Sequence, residues 1–237
     1  MHDLCTYAPA AGVPRLRWRL VATTAEDPRA VEAQERAWWL RVLAVFLSPR
    51  AVFAALRDDS DTAGRARQEP VAALVALAGI AAALGTPVAR RMMNLEGVDG
   101  AVVAVWAWIA GLAWGAVLYW LFGMLVHGAV RLLGSQGTFR RSRHIAGFAA
   151  APIALSLLVY WPVRIGVYGT DLFRTGGDDY GSGDAAFGWI WLGFLAWALA
   201  LLVVGVRAVH GWTWARAVAA VALAGALPTL LVLGTTI

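Results

Sequence analysis

Residues 101–130 read AVVAVWAWIAGLAWGAVLYWLFGMLVHGAV, thirty positions without one acid or arginine. As a straight helix this run would reach about 45 Å, whereas a hydrocarbon core about 30 Å thick needs only about 20 apolar residues. A helix on a soluble domain would carry a charged face, and this one carries none. The run is therefore expected to cross a bilayer and either to tilt or to project beyond it.

Four further stretches have the same character: 71–89, 144–161, 187–206 and 214–233. The first is entered at Pro70, which costs nothing at a first helical position because that N–H has no intrahelical partner, and is closed by Arg90 and Arg91. Composition agrees. The chain is 60% hydrophobic and only 15% charged, against about a quarter charged in soluble domains, and its mean hydropathy is +0.64. From Pro70 onward there are six acids, all between the apolar runs, where a bilayer tolerates them. The expected fold is all-α, an integral membrane bundle of about five transmembrane helices over 70–237. Pro152 leaves open a re-entrant pair in the third run and so an even count.

Upstream, residues 29–69 form an N-terminal cytoplasmic amphipathic region. Trp38, Trp39, Val42, Leu43, Val45 and Phe46 crowd one apolar face beside Arg36 and Arg41. Ser48 and Pro49 then read as N-cap and first residue of a short helix, with Val52, Phe53 and Leu56 opposite Arg50 and Arg57. Both pieces suit the headgroup plane or the end of the bundle. Residues 1–28 show no pattern and are expected to be disordered, or the product of a start codon placed too early. Cys5, the only cysteine, excludes an intramolecular disulfide and a cysteine-based zinc site.

All 20 basic residues are arginine, which points to GC-rich bacterial coding. No arginine stripe alternates with stacking aromatics outside the apolar runs, so nucleic acid is not an expected partner; the bilayer and anionic lipid headgroups are. With the N-terminus inside, residues 1–69 hold ten arginines and the loop 131–143 holds four, against Arg90, Arg91, Arg164 and Arg174 outside. The positive-inside rule gives a cytoplasmic N-terminus and a periplasmic or extracellular C-terminus, in a bacterial inner membrane.

The candidate sites read blandly. Asp58-Asp59-Ser60-Asp61 is similar to metal-diphosphate motifs, but such a site needs a second acidic cluster. Asp178, Asp179 and Asp184 lie across the membrane in this topology, which leaves 58–61 a solvated turn. The 178–184 stretch lacks the spacing and closing Glu of a calcium loop. His127, His144 and His210 have no carboxylate or cysteine beside them, so interfacial histidines are expected rather than zinc ligands. Gly111 and Gly115, with Gly147 and Ala151, would let helices approach closely, inside the bundle or on a dimer face. Arg164 is the deepest charge, able to snorkel outward or to meet a substrate. There is no catalytic triad, metalloprotease or phosphate-loop motif, and no acid inside a span for ion coupling. No cofactor, metal or catalysis is expected.

The stretch 46–53 has the form F-x-x-P-x-x-x-F, with Phe46, Pro49 and Phe53 in the fixed positions. Gly134-Ser135-Gln136-Gly137-Thr138-Phe139-Arg140 leads to Gly147-Phe148 and Ala151-Pro152. Arg207-Ala208-Val209-His210-Gly211-Trp212-Thr213 precedes Arg216-Ala217. Over residues 40–235 this order and spacing resembles the bacterial Yip family, named for eukaryotic relatives that interact with Rab-type GTPases. The resemblance implies a five-helix bundle and no general activity. The expected function is a non-catalytic membrane organiser or partner-binding scaffold; the alternative is a small permease or exporter subunit. Arg131, Arg140, Arg141 and Arg143, with no acid in their loop, and Phe46, Pro49 and Phe53 are the candidate lipid- or partner-binding residues. A protein partner on the cytoplasmic face and a homo-oligomer are both open.

Reporter fusions test the topology. Those after Arg67, Ser135 and Gly211 should read cytoplasmic, and those after Asp99 and Ile237 should read from the other side. A periplasmic reading at Ser135 would refute the arrangement.

Overall fold

The computed structural model describes residues 28–177 and 182–234, so the expectation for 1–28 lies, but for Pro28, outside the described residues. Among the described residues nine helices follow one another: α1 Pro28–Leu47, α2 Pro49–Ala55, α3 Asp61–Ala66, α4 Gln68–Leu84, α5 Gly100–Leu132, α6 Phe139–Ala149, α7 Ala151–Tyr168, α8 Ser182–His210 and α9 Trp214–Gly234. Short 3-10 turns at Ala89–Asn94 and Gly169–Phe173 join the spans at one end. The described residues contain no strand, and the protein is an all-helical membrane bundle.

Among the described residues four segments are long and apolar enough to cross a bilayer: Asp61–Leu84, Gly100–Leu132, Phe139–Phe173 and Gly183–His210. The fifth expected span is α9, of which Trp214–Ala226 is a shorter apolar helix. The boundaries differ from the sequence reading for local reasons. α4 stops at Leu84, short of 89, because Pro87 disfavours helical backbone at the residue before it and the Thr86 hydroxyl donates back to the Ala83 carbonyl at 2.7 Å. α6 starts at Phe139, five residues early, because Thr138 caps it by accepting from the Arg141 N–H at 3.2 Å. Pro152 does not make a re-entrant pair. The helix breaks only at Ala150, whose N–H still reaches the Ala146 carbonyl at 3.1 Å. Pro152 then falls in the first turn of α7, where its missing donor costs nothing.

Ser48 stands at the N-cap of α2 as expected, but its side chain makes no capping bond; Pro49 opens the helix. By contrast Asp99 caps α5, accepting from the Ala101 and Val102 N–H groups at 3.0 Å.

Lipid tails are as apolar as leucine, so burial does not drive these helices together; close backbone approach does. α4 and α5 show it. A Cβ on Gly79 would sit 2.1 Å from the Gly111 carbonyl oxygen, one on Gly111 2.5 Å from the Ile80 Cα, and one on Gly115 2.7 Å from the Val75 carbonyl oxygen. The Gly111–Gly115 pair is therefore used inside the bundle. Two cores result. The larger joins Phe53, Leu56, Val71, Val126, Ile145 and Phe148 to α8 and α9 at the arginine-rich end; the smaller groups Leu84, Val103, Tyr160, Trp161 and Leu172 at the other.

Gly79→Ala should push backbone from backbone and lower stability by about 1–3 kcal/mol. Gly128→Ala, with nothing within 4 Å of the added carbon, should be neutral or gain up to about 1 kcal/mol of helix propensity. Thermal unfolding in detergent compares the two, and equal effects would deny the α4–α5 contact its role.

Candidate functional site: a clasp at the arginine-rich face

The segment between α2 and α3 turns on Asp58, which accepts the Ser60 N–H at 3.0 Å. That bond holds the Asp58 carboxyl below its ordinary pKa. Ser60 in turn caps α3 by accepting from the Ala63 N–H. These two turns aim Asp59 inward. Its side chain is 8% exposed, so the turn at 58–61 is solvated at Asp58, Ser60 and Asp61 but not, as the sequence suggests, at Asp59.

Asp59 is met by three arginines and a hydroxyl. Arg67 Nη2 donates to it at 2.9 Å and Arg140 Nε at 3.2 Å, Arg141 Nη2 lies 3.9 Å away, and the Thr138 hydroxyl donates to its second oxygen. Arg67 is wholly buried. Its other nitrogens donate to the Asp58 carbonyl and to His144 Nδ1, both at 2.7 Å. Since that ring nitrogen accepts, the proton of His144 sits on Nε2, 3.4 Å from the Gln68 amide oxygen. Arg140 also reaches Asp61 at 2.7 Å, and Arg141 Nη2 donates to the Arg57 carbonyl at 2.9 Å. Arg57 Nε completes the chain at the Ala208 carbonyl, 2.9 Å away.

The four candidate arginines thus divide. Arg140 and Arg141 are drawn onto Asp59 and Asp61, two carboxylates they share with Arg67, a correction to their reading as a loop with no acid beside it. Arg143 has no acid. Its guanidinium lies 3.8 Å over the Trp120 ring and 5.0 Å from Phe139, while its buried Nε has no hydrogen-bond partner. Arg131 is exposed at the end of α5. Phe46 stacks edge-on against Trp197 at 5.3 Å. Phe53 is buried in the notch left by Gly205, where a Cβ would come within 2.9 Å of its ring. Pro49 opens the helix between them. These three dock α1 and α2 onto α8.

The loops of the other two motifs also meet. Ser135 Oγ lies 3.1 Å from His210 Nδ1, and Arg216 donates to the Leu133 carbonyl. Gly134 and Gly211 take φ of 86° and 66°, open to glycine without cost. The three histidines sit apart, His127 near Ser142, His210 near Ser135 and His144 on Arg67. No metal-binding group of three is formed among the described residues. At the opposite end Arg164 donates to the Tyr160 hydroxyl and to Asp184, both at 2.9 Å, tying α7 to α8. Of the 178–184 stretch, positions 178–181 lie outside the described residues.

Sequence reasoning missed Asp59, Arg67 and His144 as a unit. Their one trace is an arginine three residues before Pro70, at the mouth of the first apolar run, where burial is costly unless something pairs with it. Chemically the unit is a clasp. Donors reach both Asp59 oxygens, so the carboxylate ties α3, α4 and α6 together.

These features define a helical integral membrane protein closed at one face by a polar clasp. Residues 43–236 match the Yip1 domain, and the chain belongs to the Yip family. Neither a curated protein nor a solved structure matches it.

Asp59→Ala would strand buried Arg67, and breaking such a pair costs about 3–5 kcal/mol. Asp61→Ala, at an exposed pair, should cost under about 1 kcal/mol. Equal losses in thermal unfolding would show that the clasp is not what holds this face.

Proposed function

We propose that the protein is a non-catalytic membrane organiser, a scaffold that holds lipid headgroups or a protein partner at its arginine-rich face. In this reading it sits in a bacterial inner membrane with five spans, and that face and the N-terminus are cytoplasmic. The observation that carries the reading is the character of the cleft among the spans. It is open at one side, where Phe122, Leu195 and Leu199 are exposed, and has about 260 Å³ between α4, α5, α6, α7 and α8. Among its described lining residues Tyr119 alone has a polar side-chain group; the rest are alanine, glycine, leucine, valine, isoleucine and phenylalanine. A path for a polar solute or ion needs groups to replace its water, and this lining offers none but the phenol.

The clasp supports the same reading, since it fixes the shape of one face and leaves Arg131 and Arg143 as the arginines of the loop 131–143 outside its ion pairs. Each cation near an anionic leaflet contributes about 1 kcal/mol, lost with rising salt. Crosslinking in native membranes followed by purification tests this. Arg131→Gln with Arg143→Gln should lose bound anionic lipid or a crosslinked partner, and lose more of it at higher salt. Arg140→Gln with Arg141→Gln should chiefly lower thermal stability. Retention of every association by the first pair, together with solute uptake by proteoliposomes of the wild type, would replace the scaffold by a permease.

A further inference from the structure

Among the described residues nothing covers one apolar face of α1. Trp38 and Val45 are buried against the bundle, whereas Trp39, Leu40, Leu43 and Leu47 are 44%, 67%, 68% and 86% exposed. Positions 36, 40, 43 and 47 recur at helical spacing and form one stripe. Its polarity is graded, from the exposed Arg36 through Trp39 to leucines at the far end.

The depth of that far end can be read along α8. Arg57 bonds to Ala208, Phe53 fills the notch at Gly205 and Phe46 stacks on Trp197, contacts that follow one face of α8. The helix rises about 16 Å between Trp197 and Ala208. The elbow at Leu47-Ser48-Pro49 thus lies well below the level of Arg57, Arg207 and His210, beside a stretch of α8 whose Leu195 and Leu199 are themselves exposed. Higher up, Trp38 packs on Phe148 at 5.6 Å and lies 5.8 Å from the Arg67 guanidinium, so α1 descends obliquely. Arg50, the one cation next to the elbow, reaches back toward Trp214 at 5.8 Å, at the start of α9.

We propose that α1 and α2 form a re-entrant wedge whose stripe is covered by the acyl chains of the leaflet at the arginine-rich face. The order cation, tryptophan, leucine along the stripe matches the order headgroup, interface, hydrocarbon across a leaflet. Beside the stripe Trp197 of α8, against which Phe46 packs, is itself 40% exposed, so one occupant covers both. At the elbow the backbone groups of Ser48 are satisfied, as a bilayer demands: its N–H donates to the Ala44 carbonyl at 2.7 Å and its carbonyl accepts from Ala51 and Val52, while Pro49 has no N–H. This inference does not depend on the scaffold reading; it assigns the stripe to lipid and leaves the clasp face for partners.

The test uses the full chain with Cys5→Ser and one of Arg36→Cys, Leu40→Cys, Leu43→Cys or Leu47→Cys, spin-labelled in phosphatidylcholine–phosphatidylglycerol vesicles. The ratio of oxygen to nickel-chelate collision rates should climb in that order and be severalfold higher at position 47 than at 36. In native membranes a water-soluble maleimide should modify position 36 fast and position 47 slowly, a readout that needs no reconstitution. High nickel access or fast modification at position 47 would place the stripe in water and overturn the wedge. Shielding of positions 43 and 47 from both oxygen and nickel would overturn it too, with a protein surface or a second copy as the cover.

Discussion

A fully buried guanidinium sits where the first span enters the bundle, and the arginine-rich half of the structure is arranged to make that tolerable. Leaving a charge unpaired in a low-dielectric setting costs several kcal/mol, so Arg67 must be matched on every side. Asp59 supplies the charge, the Asp58 carbonyl and His144 the remaining acceptors. To deliver those groups the chain has to fold the 58–61 turn inward, cap α3 with Ser60, and start α6 early enough that Thr138 and Arg140 face Asp59. The clasp therefore sets the relation of α3 and α4 to α6, three elements that are not held by apolar burial alone.

Below the clasp the governing constraint changes from charge to distance. Gly79, Gly111 and Gly115 let α4 and α5 touch through backbone, which aligns their dispersion contacts over several turns. Where the helices separate toward α8, small residues leave the apolar cavity. The same glycine and alanine content thus yields close contact on one flank and free volume on the other. The difference lies in whether a facing residue is also small, as at Gly111 against Gly79, or absent.

The spans were legible because the bilayer imposes a length and a composition that few soluble helices meet, and 101–130 meets both without help from context. The ends of the first and third spans were not. Asp61–Leu84 and Phe139–Phe173 begin inside charged sequence, and Arg65, Arg67, Arg140 and Arg141 read as loop residues to any window that scores charge as exposure. For Arg67, Arg140 and Arg141 only tertiary pairing places them inside a helical span. Asp59 with Arg140 and Arg67 with His144 are separated by 81 and 77 residues, a distance at which no local periodicity survives. The aromatic motif was visible as Phe46, Pro49 and Phe53, but not its use: that Phe53 faces a glycine on α8 follows from the register of two elements and not from either one.

What divides the four arginines of the second loop is reach, not residue type. Arg140 and Arg141 lie in the first turn of α6, which faces the 57–61 segment, so their forks close on Asp59, Asp61 and the Arg57 carbonyl. Arg143 leaves the helix on another side, toward Trp120 and Phe139. An aromatic face offers a cation attraction without satisfying its N–H donors. A guanidinium held this way remains able to bind an oxyanion, whereas one forked onto a carboxylate must first break that pair. The sum of positive charge in the loop therefore overstates what it presents to a ligand. The same clasp that makes the face rigid removes two of its cations from binding, and the reduction is what singles out Arg131 and Arg143.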